Sequence, residues 1–308
     1  MGNKTKGYIL ACVAAATYGM NPLFTLPLYD VGMNPDSVLF LRYLFAIPVL
    51  GLMMVIRGRS FKVSSQDYFM LAIMGILVGV SSLTLFCSYE YMDAGLASTI
   101  LFVYPIMVAI IMILGFKERI SREMIICILL AVCGIALLQG SGSSEASLIG
   151  TLLACGSALS YAIYIVGVNK SRLHKIATLT ITFYVIVFGL VLFAGRLVSG
   201  VEFTMPPSEK WYLWGCVIAL AVFPTAISFL CTTSAIVMIG STSTALLGAL
   251  EPVTAVFFGV LLFGERLTLL NIIGLIAIIV AVSTVVAAPS LHIQLSRVRR
   301  LFPRRKKH

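Results

Sequence analysis

Charge is scarce in this chain. Only 11% of its 308 residues are Asp, Glu, Lys or Arg, against about 25% in ordinary soluble domains. Histidine occurs three times, at His174, His292 and His308, in a basic loop and a basic tail away from carboxylates. No Gly-rich Lys-Ser/Thr phosphate loop, no Gly-x-Ser-x-Gly elbow and no His-Glu-x-x-His pair is present, which argues against direct drive by ATP hydrolysis and against the common hydrolase chemistries. The seven cysteines have no metal-ligand spacing and all fall in apolar runs, so they read as small packing residues, and no cofactor is expected.

What is abundant is apolar surface. Hydrophobic residues make up 60% of the chain, and mean hydropathy is +1.04. Lipid must be the solvent for most of that surface. Ten apolar runs of spanning length are expected, near 7–28, 37–56, 68–91, 94–115, 121–139, 147–168, 176–198, 211–236, 239–263 and 267–288. The net charge of +10 is distributed as a topology signal. With the N-terminus in the cytoplasm, 18 of the 22 Lys and Arg fall in inside segments and three (Arg196, Lys210, Arg266) in outside ones. This bias puts both termini in the cytoplasm and makes nucleic acid an unnecessary partner. The basic tail 289–308 suits a topology anchor or contact with anionic lipid headgroups. No cleavable signal peptide and no obligate protein partner are evident.

The chain repeats itself. Pro105, Leu114, Phe116, Glu118 and Arg119 recur 147 residues later as Pro252, Leu261, Phe263, Glu265 and Arg266. Gly7, Leu10, Ala11, Cys12, Ala15 and Tyr18 recur as Gly150, Leu153, Ala154, Cys155, Ala158 and Tyr161. Five spans per copy is an odd number, so the second copy enters the bilayer upside down. The expected fold is therefore an all-α membrane protein of ten transmembrane helices, two inverted five-helix repeats (1–140 and 147–288) around a central cavity.

Candidate functional groups follow from what a membrane interior tolerates. Glu251 lies at the middle of the ninth span, where an ionised carboxyl is costly unless it faces water, a partner or cargo; proton coupling is a natural use. Pro252 beside it removes a helix hydrogen bond. Tyr104 is its counterpart in the first copy. Arg42, inside the second span near Asp36, is a group for a cargo carboxylate, a gate partner of an outer acid such as Glu90 or Asp93, or a side chain snorkelling to the outer interface. Gly19 and Pro22 point to a kink in span one, which would free Asn21 for a polar ligand. Tyr18 and Tyr161 are expected to face one another across the pseudo-symmetry axis. Pro105, Pro224 and Pro252 are further hinge positions. Gly75 with Gly79, and Gly156 with Ser160, permit close helix packing.

The joint spacing of Pro105, Glu118-Arg119, Glu251-Pro252 and Gly264-Glu265-Arg266-Leu267 resembles the EamA-type carriers of the drug/metabolite transporter superfamily. The resemblance covers 8–138 and 148–286. It implies alternating access around a central cavity, with amino acids or related small metabolites as exported cargo. The alternative on the same fold is efflux of drug-like or lipid-linked molecules; an intramembrane enzyme or receptor is the reading from another class. Glu118, Arg119, Glu265 and Arg266 would be gating or loop-ordering contacts. A bacterial inner membrane is the expected location.

Overall fold

The computed structural model describes residues 2–92, 94–117, 121–139, 147–263, 269, 270, 272–281 and 284. Every regular element among them is helical. Six helical stretches are long and apolar enough to cross a bilayer: Asn3–Tyr29, Pro35–Ile56, Ser65–Ser88, Leu148–Lys170, Thr178–Val198 and Trp211–Ile239. Shorter apolar helices cover Tyr104–Phe116, Met124–Leu137 and Ile272–Ala281. The chain is a multi-pass helical membrane protein. The spans expected at 94–115 and 239–263 are each divided in two, and the basic tail lies outside the described residues.

Local chemistry sets the helix starts. Asn34 caps α3 (Pro35–Ile56), its side chain accepting the Ser37 amide at 2.8 Å, with Pro35 preset for the first turn. Ser64 caps α4 (Ser65–Ser88) by accepting from the Asp67 amide at 3.2 Å. These caps satisfy orphan amides where each chain segment turns back into the membrane.

Proline and glycine set the breaks. Span one is α1 (Asn3–Tyr18) and α2 (Asn21–Tyr29), parted at Gly19-Met20, with Pro22 early in α2. Span four is α5 (Ala94–Leu101) and α6 (Tyr104–Phe116), with Pro105 following the break. After α7 (Arg122–Gln139), α8 (Leu148–Lys170) and α9 (Thr178–Val198) run unbroken. Span eight is α10 (Trp211–Leu220), a π-helical segment Ala221–Ile227, and α11 (Ser228–Ile239). Span nine is α12 (Ser241–Leu247) and α13 (Leu250–Phe263). Within the 147-residue shift, the breaks after Leu101 and Leu247 fall one residue from equivalence.

Small residues allow the helices to meet closely. α4 packs along α8 and α9, and α1 packs along α11. At Gly75 an added Cβ would lie 2.5 Å from Phe188 Cβ and 2.8 Å from the Val185 carbonyl, both on α9. Gly79 faces Leu192 of the same helix. Gly75→Leu is expected to force α4 from α9 and to lower stability by about 1–3 kcal/mol, read as a fall in Tm in detergent. Gly156 differs from its sequence expectation: nothing lies within 4 Å of a Cβ placed there, because its face of α8 is open.

Candidate functional site

Two helix breaks and one close crossing build the site. The break in span four places Tyr104 at the first position of α6. The break in span nine places Glu251 in the first turn of α13. α1 crosses α13 at Gly19, where an added Cβ would stand 2.5 Å from the Glu251 carbonyl oxygen. Only glycine permits that approach, and it brings Tyr18, the neighbouring residue, to the same place.

The result is a cavity lined by Tyr18, Tyr104, Tyr161 and Glu251. Ser228, Thr232 and Thr244 supply polar atoms, and Ala11, Ala14 and Ala15 keep one wall thin. Tyr18 and Tyr161 stack with ring centroids 6.5 Å apart and planes 14° apart. Tyr104 meets Tyr161 edge to face at 5.0 Å. The Tyr104 hydroxyl donates to the Ala245 carbonyl at 3.0 Å, tying α6 to α12 across the second break. The Ser228 hydroxyl donates to the Ala14 carbonyl at 2.9 Å, tying α11 to α1. The Glu251 carboxyl makes no hydrogen bond or ion pair among the described residues. The free volume is ≈ 20 Å³, room for about one water.

Arg42 sits against this cavity without lining it. Its guanidinium carbon lies 5.9 Å from the Tyr18 ring centroid and 5.5 Å from that of Phe86. The snorkelling reading is corrected here: the side chain is 0% exposed and turns to the π-helical segment. No ion pair joins it to Glu90, and Asp93, the other acid expected as a gate partner, lies outside the described residues. Proline explains the turn. Pro224 has no amide to give the Leu220 carbonyl, so the Thr225 hydroxyl donates there at 2.7 Å. Thr225 Oγ1 then accepts from Arg42 Nε, and the Pro224 carbonyl accepts from Nη2 at 3.0 Å. Nη1 is buried with no partner among the described residues.

Asp36 pairs instead with Arg196, Nε to Oδ1 at 2.5 Å and Nη2 to Oδ2 at 3.1 Å, linking α3 to α9. Asp36 is 7% exposed and Arg196 41%. Arg196→Ala should therefore cost about 1–2 kcal/mol, between an exposed pair and a buried one, measured by thermal unfolding in detergent. Glu90, exposed in the turn after α4, has its carboxyl pushed above the usual range by partial burial and then by the Asp36 charge.

Asn21 is 1% exposed, and both its side-chain polar atoms lack partners; Thr25 Oγ1, one turn on, is in the same state. Thr17 bonds the carbonyls of Val13 and Ala14 in its own helix. Ser81 bonds Ser157 across α4 and α8 at 3.0 Å, and Ser82 meets the Tyr43 hydroxyl at 2.9 Å, while Thr84 returns to its own backbone. Asp93, Glu118, Arg119, Glu265 and Arg266 lie outside the described residues, and of Pro252 only the backbone is described. Sequence reasoning missed Thr225, Ser228, Thr232, Thr244 and Gly248. The Pro224-Thr225 pair inside an apolar run was the available signal for the first.

A broken-helix membrane bundle closing on a polar, tyrosine-walled cavity is the architecture of a membrane transporter. The EamA-like transporter family matches residues 5–139 and again 148–287, and the chain belongs to that family. It is a transporter. An uncharacterized transporter of Bacillus subtilis, YcbK, is 24% identical over 289 residues, 87% of this chain and 88% of the relative. The threonine/homoserine exporter RhtA of Escherichia coli K12 is 26% identical over 217 residues, 67% of each chain. A protein crystal structure shares the fold with a TM-score of 0.77 at 17% identity, covering 94% of this chain and 99% of that one.

Proposed function

We propose that the chain is a secondary transporter exporting amino acids or related small metabolites by alternating access, with protons coupled through Glu251. The observation that carries this reading is the unpaired Glu251 carboxyl at a helix break, facing three tyrosines inside a family of transporters. The name of the RhtA relative supports amino acids as cargo. Tyr18, Asn21, Arg42, Tyr104, Tyr161 and Glu251 form or border the path in this reading. Gly19, Pro22, Pro105, Pro224 and Pro252 are the hinges, and Glu118, Arg119, Glu265 and Arg266 order or gate the loops.

Two inverted repeats, 1–140 and 147–288, fit the observations. A two-fold axis exchanging the halves must turn the span three–six contact into a span eight–one contact. Both are present, as α4 on α8 and α11 on α1. The broken spans four and nine are likewise exchanged. A cavity with room for about one water cannot hold an amino acid. Cargo must therefore bind in another arrangement of the halves, which is what alternating access supplies. The charge bias supports both termini in the cytoplasm, and the bacterial relatives favour a bacterial inner membrane.

A hydrophobic organic cation is the second reading, favoured by the tyrosine walls around a carboxylate. The deciding assay is release of a mixed pool of amino acids and small organic cations from proteoliposomes, with and without a pH gradient. Selective release of amino acids, enhanced by the gradient, is expected. Release of cations alone would replace the first reading with the second, and release of neither above protein-free vesicles would contradict both.

A further inference from the structure

An acid and a base are held inside the apolar bundle and do not pair with each other. Glu251 faces the cavity, and no ion pair joins it to Arg42. Arg42 is wholly buried, yet both of its acceptors, the Thr225 hydroxyl and the Pro224 carbonyl, are neutral. Its third nitrogen, Nη1, has no acceptor among the described residues. A buried guanidinium with neutral partners and an orphaned donor is short of a counter-charge. The π-helical segment fixes two of its nitrogens and leaves the third for an anion. Tyr18 borders both charges, its ring lying against the guanidinium while it also lines the cavity.

We propose that Arg42 and Glu251 are the two halves of one zwitterion-selective site: Arg42 Nη1 takes the cargo carboxylate, Glu251 takes the cargo ammonium, and the Tyr18 ring turns aside to join them. This rests on the carrier reading above and narrows it to cargo bearing both a free carboxylate and a free ammonium. A zwitterion satisfies both buried charges at once. An amine lacking the carboxylate brings a second cation toward an unpaired guanidinium, and an N-acylated acid leaves Glu251 unmatched. Selectivity therefore comes from repulsion and unmet charge as much as from attraction. Arg42 is the residue that separates an amino-acid carrier from a carrier of organic cations.

The test uses the full chain in proteoliposomes. Uptake of threonine, leucine and phenylalanine is compared with that of each decarboxylated amine and each N-acetyl derivative. In the wild type, at least one amino acid should exceed both of its derivatives by about tenfold or more, a difference of about 1.4 kcal/mol. Arg42→Gln should close the gap to the amine while leaving the gap to the N-acetyl derivative. Arg42→Lys, which keeps the charge but not the fork geometry, should retain part of the preference. Ratios are read within one preparation, so a smaller yield of folded protein does not alter them. A wild type that carries an amine as fast as its amino acid overturns the proposal without harming the carrier reading. So does an Arg42→Gln protein that slows all three compounds in proportion. Movement of none of the nine compounds overturns the amino-acid carrier reading itself.

Discussion

Glu251→Gln is expected to lower amino-acid flux by at least about tenfold and to leave the residue insensitive to a pH gradient. The substitution keeps the size and shape of the side chain at the start of α13 and removes its ionisation. Nothing in the packing should change, because the carboxyl makes no hydrogen bond or ion pair among the described residues. Tm in detergent should therefore match the wild type. The contrast between unchanged stability and lost flux separates a transport role from a structural one. Glu251→Asp, one methylene shorter, should retain the pH response at reduced rate. Undiminished flux at every pH in the Gln variant would remove Glu251 from the mechanism.

Gly248→Val should have a comparable effect by a different route. Gly248 lies in the break between α12 and α13. A Cβ there would fall on the Tyr104 hydroxyl and stand 3.0 Å from the Ala245 carbonyl. The branched side chain must displace the hydroxyl from that carbonyl, cutting the one described link from α6 to α12 through Tyr104. The tyrosine would then be driven toward Tyr161 and the cavity would close. Flux is expected to fall by about tenfold or more, and stability by about 1–3 kcal/mol for the forced shift. Adding Tyr104→Phe removes the overlapping hydroxyl, so the double variant should recover part of the lost stability. A Gly248→Val protein with normal flux would show that the break has slack that the described geometry lacks.

Much of this site could be read in the sequence for a definite physical reason. A carboxylate in an apolar run is costly, so Glu251 announces itself. The internal repeat then pairs Tyr18 with Tyr161, and the two rings do stack. Hydropathy marked the long helices but not the breaks within spans four and nine, since Leu101-Phe102-Val103 is as apolar as any continuous helix. Arg42 was visible as a charge, but its environment was not. Its partners stand 182 and 183 residues away and depend on a π-helical segment that forms around one proline. The Asp36–Arg196 pair is equally nonlocal, joining residues 160 apart, whereas proximity in sequence sets Asp36 near Arg42. Residues that act through distant backbone geometry leave little trace in spacing. Residues that violate the solvent leave a clear one.

If the tyrosine-walled cavity is the transport path, it opens to each side of the membrane in turn. Thr244 lines it, and among the described residues its hydroxyl bonds only the Gly240 carbonyl at the start of its own helix, so Thr244→Cys disturbs little. The most direct measurement is the labelling of that cysteine by a membrane-impermeant thiol reagent, applied from one side and then the other, above the background of the unsubstituted chain. The account predicts labelling from both sides, with saturating cargo lowering it on each. A cysteine that reacts from neither side in a protein that still transports would contradict it, and would move the path elsewhere in the bundle.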